Sequence, residues 1–163
     1  MSSSQPNEQE LALLRHTLAT VAYRAGKALR AAPESFADYS CGEGGRTPVQ
    51  ILAHMGDLYD WALSLVSGNQ VWKDSQPLPW EKEMERFFAA LKTFDDYLAS
   101  GETLHDGPGR LFQGAIADSL THIGQIAMLR RMAGSKIKGE NYHKAEIVSG
   151  RVGIEQAAPR REF

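Results

Sequence analysis

Residues 117–134 read ADSLTHIGQIAMLRRMAG, and this stretch decides both the fold class and where chemistry is to be sought. At about 100° per residue, Asp118, His122, Gln125 and Leu129 share one narrow arc of a helix, and Ile116, Leu120, Ile123 and Ala127 share a second. The second arc is ordinary core. The first sets a carboxylate and an imidazole one turn apart on a stripe with Leu111, Ala115, Ile126 and Leu129, where burying polar groups is costly unless a cation or a matched hydrogen bond meets them. Arg130 and Arg131 place cations in the last turn, and Gly134 stops the helix. Two apolar arcs need cover on two sides. One side faces a bundle; the other is expected to meet a second copy of the chain, which predicts a homodimer.

Outward from this helix the same periodicity recurs three times. Leu11, Leu14, Leu18, Val21, Ala22, Ala25 and Leu29 predict a first helix over 7–32, closed by Pro33. Thr47, Pro48 and Gln50 form a cap, a first-position proline and a capping-box partner, so a second helix spans 47–67 and ends at Gly68-Asn69. Pro77 and Pro79 break the crossover that follows, with Trp72 and Trp80 expected to pack it down. Met84, Phe87, Phe88, Leu91, Phe94 and Leu98 mark a third helix over 80–100, and the opening stretch belongs to a fourth over 110–133. Residues 36–46, rich in glycine, read as a loop. Residues 135–163 lack helical periodicity and are expected to form an extended tail lying back on the bundle. The fold class is therefore all-α, one four-helix-bundle domain over residues 1–163.

Composition narrows the partners. The chain has 163 residues, room for one core, and a formal charge of −2 from 18 basic and 20 acidic side chains, so neither nucleic acid nor an anionic membrane is expected. No apolar run approaches the roughly 20 residues that cross a bilayer. A single cysteine, Cys41, and an opening without a secretory signal point to the cytoplasm.

Asp118 and His122 bring their side-chain ends together at a spacing that lets two ligands from one helix bind one metal ion. His54, at the edge of the second helix's stripe, is the candidate third ligand. Two imidazoles and a carboxylate leave an open position, as in catalytic zinc and non-haem iron sites. Two other readings stand beside this one. Asp118 can simply accept a hydrogen bond from His122 with no metal bound, or Cys41 can serve as a nucleophile, although no activating partner can be named for it. His16 and His105 read as solvated.

The order of a histidine early in the second helix, in TPVQILAHMGDLYDWAL, and a ligand-x-x-x-His-x-Gly-Gln run in the fourth, DSLTHIGQIAMLRR, resembles the DinB-like superfamily. The resemblance covers residues 8–134. It implies a four-helix bundle with down-up-up-down connectivity, dimerisation, and a divalent metal ion (Zn, Ni or Fe) held by His54, Asp118 and His122. Asp118 stands where that family commonly has histidine. The resemblance further implies a metal-dependent enzyme acting on a small molecule, a thiol-dependent S-transferase using a low-molecular-weight thiol, or a hydrolase. Gln125 would then orient a ligand, Asn141 and Tyr142 would line the pocket mouth, and His143 would be a fourth ligand or exposed. The rival expectation is a non-catalytic dimeric bundle, metal-binding or metal-free, that serves binding or assembly.

Overall fold

Asn7 starts the first helix, α1 (Glu8–Leu29), in the computed structural model that describes residues 5–163 of the protein. Its side chain accepts from the Glu10 backbone N–H at 2.9 Å while the Glu10 carboxylate accepts from the Asn7 N–H at 2.9 Å, so two otherwise orphaned donors are satisfied. Leu14, Leu18, Val21, Ala22, Ala25 and Leu29 are buried along one side. The periodicity predicts a helix to residue 32, but α1 stops at Leu29. Arg30 turns extended and Ala31 takes a left-handed φ of 53°. Pro33 disfavours helical backbone just beyond, and the Arg130 guanidinium holds the turn, donating to the carbonyls of Ala28, Arg30 and Ala31 at 3.1, 2.8 and 3.2 Å.

The second helix, α2 (Pro48–Val66), begins with the expected capping box, Thr47 N–H donating to Gln50 Oε1 at 2.9 Å. Gly68, at φ 79°, ends it in the left-handed region that favours glycine. The third, α3 (Trp80–Ala99), buries the aromatic stripe as its spacing predicts. The fourth is not one continuous α-helix. It consists of α4 (Pro108–Leu111), a π-helical stretch (Phe112–Ile116) and α5 (Ala117–Met132). A wide π turn shifts the phase of everything after it. Ser119 therefore takes the fully buried interior position, donating to the Ala115 carbonyl at 2.7 Å. The Asp118 side chain is left at the rim, 44% exposed.

Paired contacts fix the directions. Arg86 lies against Ala53 and Asp57, and Tyr97 Oη lies 3.4 Å from the Val66 carbonyl, so α2 and α3 run parallel. Gln5 bonds Leu104 and Arg15 bonds Asp95, so α1 runs against α3. His54 faces Asp118 while Trp61 packs on Gly114, so α5 runs against α2. The connectivity is down-up-up-down, an all-α bundle without named strands among the described residues. Its centre is Tyr59 against Phe87 and Phe94, with ring centroids 5.9 and 6.1 Å apart. From the C-terminal segment, Glu140 reaches α1, accepting from Tyr23 Oη at 2.6 Å and Lys27 Nζ at 2.7 Å, and Val152 is buried with the core. Among the described residues no helix is long and apolar enough to cross a membrane.

Candidate metal centre

The antiparallel meeting of α2 and α5 brings His54 opposite Asp118 and His122. His54 Nε2 lies 3.4 Å from Asp118 Oδ2, His122 Nε2 lies 3.5 Å from Asp118 Oδ1, and the two imidazole rings stand perpendicular with centroids 4.9 Å apart. One ligand atom from each residue falls within 4.8 Å of the others, so the three can hold a metal ion. Bonds of about 2.0–2.2 Å in a tetrahedral site separate neighbouring donors by roughly 3.3–3.6 Å, and each imidazole stands about that far from one oxygen of Asp118. The donor chemistry suits a metal ion too, since two imidazoles and one carboxylate are a common set for zinc and for non-haem iron.

The surroundings orient the two imidazoles. His122 is almost buried, and its Nδ1 stands 2.7 Å from Gln125 Oε1, so a proton on Nδ1 donates to that oxygen and leaves the Nε2 lone pair free. His54 is packed by the Trp72 ring, edge-on at 5.7 Å, and Trp72 in turn meets Trp61 at 5.9 Å. Burial holds the His54 pKa below its usual 6.5, and the nearby charges of Arg46 and His122 push it the same way against the opposing pull of Asp118. A neutral imidazole is the form a metal ion requires.

Trp72 keeps its place because the crossover that carries it is clamped. Asp57 accepts from Ser75 N–H at 2.9 Å and Ser75 Oγ at 2.6 Å, and Glu83, fully buried, accepts from Leu78 N–H at 2.8 Å. Arg86 joins the two carboxylates, bonding Glu83 through Nε, Asp57 at 3.0 Å and the Ala53 carbonyl at 2.6 Å. Gly56 makes room for it: a Cβ there would meet the guanidinium at 2.8 Å.

Two hollows flank the triad. On the His122 side a cavity of about 550 Å³ is walled by Ile51, Met128, Leu129 and Met132, with Cys41, Gln125 and Arg46 at its edge. On the His54 side a smaller, polar one of about 250 Å³ is lined by Gln50, Asp57, Asp74 and Ser75. Arg46 borders both. The glycine-rich loop delivers it there, folding so tightly that a Cβ on Gly45 would sit 2.8 Å from Cys41 Sγ.

Of the residues singled out in the sequence, His54, Asp118, His122 and Gln125 come together. Asn141 and Tyr142 stand elsewhere. Asn141 bonds the Arg161 carbonyl, and Tyr142 packs on Tyr23 beneath the Arg24 guanidinium, bordering a separate hollow beside Gly124 and Arg131. His16, His105 and His143 are exposed and outside the triad. Sequence reasoning missed Arg46 altogether and did not place Trp72 on His54. No family model matches the chain, and it matches no curated protein and no solved structure.

Proposed function

We propose that the protein is a divalent-metal-dependent enzyme acting on a small organic molecule, with His54, Asp118 and His122 as the ligands. One observation carries this reading: one donor atom from each of three residues on two helices lies within 4.8 Å of the others, beside a cavity that His122 also lines. The ion, when bound, would supply Lewis-acid activation of a water or a low-molecular-weight thiol, lowering its pKa toward neutrality. The chain's own residues do the rest. Asp118 offsets one of the two charges of a divalent cation, Gln125 fixes the tautomer of His122, and Trp72 keeps water from the outer edge of His54. The apolar walls beyond His122 receive the body of the substrate.

Membership of the DinB-like superfamily belongs to this reading. It rests on the histidine in the second helix, the Asp-x-x-x-His-x-Gly-Gln run in the fourth, and the connectivity of the bundle. It supplies the reaction style, thiol transfer or hydrolysis, and the ions that suit the donors, zinc, nickel or iron. Elemental analysis of protein purified without an affinity tag and reconstituted with each ion tests the proposal. Close to one equivalent of metal is expected, lost in His122→Ala while circular dichroism stays helical. A metal-free wild type, or unchanged metal content in His122→Ala, rejects it.

A further inference from the structure

Most arginines near the core already have partners. Arg15 and Arg86 meet buried carboxylates, and Arg130 serves the end of α1. Arg46 differs: it is exposed, among the described residues no ion pair or hydrogen bond engages its guanidinium, and it borders both hollows beside the triad. Water solvates an exposed guanidinium, and a carboxylate entering the cavity can take the place of that water through two parallel hydrogen bonds.

The two hollows treat an anion differently. The polar one is lined by the carboxylates of Asp57 and Asp74, which oppose a second negative charge. The larger one has no carboxylate in its lining and is an open hollow walled by Ile51 and Leu129, with Met128 and Met132, 56% and 53% exposed, along its outer side. A ligand anchored at Arg46 therefore lays its body along the apolar wall and passes His122 on the way. Its size follows from the cavity, about 550 Å³, within the range of small-molecule sites. Methionines suit such a wall because their unbranched side chains adapt to differently shaped chains and rings.

We infer that the site takes a medium-sized organic acid, with Arg46 binding its carboxylate and the methionine-lined wall its apolar body. That this acid is the substrate rests on reading the triad as a metal centre; its recognition by Arg46 does not. Calorimetric binding of octanoate and of its neutral counterpart octanamide separates the two claims, measured on zinc-reconstituted and on chelator-treated protein. Octanoate is expected to bind about tenfold or more tightly than octanamide in both forms, the margin of a charge-assisted hydrogen-bonded pair. Arg46→Gln should erase that preference. Arg46→Lys should keep part of it, because the charge remains and the fork is lost. Met128→Glu, which sets a carboxylate in the apolar wall, should weaken octanoate more than octanamide.

Equal affinities in the wild type, a preference that survives Arg46→Gln, or no binding of octanoate would each overturn the inference. A preference seen only with zinc present would also overturn it, since the carboxylate would then be held by the ion. A preference in protein that takes up no zinc upholds Arg46 and removes the metal reading. Stoichiometric zinc without a preference does the reverse.

Discussion

His122 gives one ring nitrogen to Gln125 and leaves the other for the space it shares with His54 and Asp118. That division fixes a tautomer and a ring orientation together, and partners of this kind are worth 10–100-fold in metal affinity. Gln125→Leu is therefore expected to weaken zinc binding by about tenfold or more, read by competition with a chromophoric chelator, and Gln125→Glu should keep the acceptor and most of the affinity. Unchanged affinity in Gln125→Leu would remove Gln125 from the centre. The three candidate ligands were legible in the sequence because two of them sit one turn apart on one helix and the third lies on a helix whose capping box announced its start. Arg46 was not legible. It sits in a loop, where no periodicity reports which way a side chain points, and only the fold of the glycine-rich turn brings it beside α2 and α5.

Among the elements, the crossover between α2 and α3 depends on a cluster of charges the sequence did not reveal. Glu83 and Asp57 look like ordinary helix-surface carboxylates in a linear reading, yet they are 0% and 4% exposed. Arg86 stands between them, and its loss would leave two buried carboxylates without their cation. Arg86→Met is expected to destabilise the protein by roughly 2–4 kcal/mol in urea unfolding, below the full range for a broken buried pair because the Arg86 side chain is 22% exposed. A change under about 0.5 kcal/mol would mean the clamp contributes little. The π turn before α5 was hidden for a different reason. Apolar residues continue through it at helical spacing, so the pattern reads as one unbroken helix, and only the burial of Ser119 with Asp118 at the rim exposes the change of phase.

At the scale of the whole molecule, helix number and order followed from apolar spacing, caps and glycine stops and their directions only from the family resemblance, while the ends of the helices did not always follow. The end of α1 is the clearest case. Arg130 had a local reading, a cation suited to the dipole of its own helix, but it is 6% exposed and its donors go to another helix's carbonyls and to Ser135. Arg130→Met should cost about 1–3 kcal/mol, because the Ala28 carbonyl would be buried without that donor. Hydrogen exchange should then show the last turn of α1 opening more readily than its middle, and uniform protection along α1 would contradict the assignment.

The same contact bears on the order of events when the chain is made. Residues 28 and 130 are separated by 102 positions, so the side chain that finishes the first helix emerges long after that helix does. Until it arrives, the Ala28, Arg30 and Ala31 carbonyls are without the donors that hold them in the folded chain. A nascent chain halted before the fourth helix therefore lacks the donors that hold the end of α1, the first of its three helices.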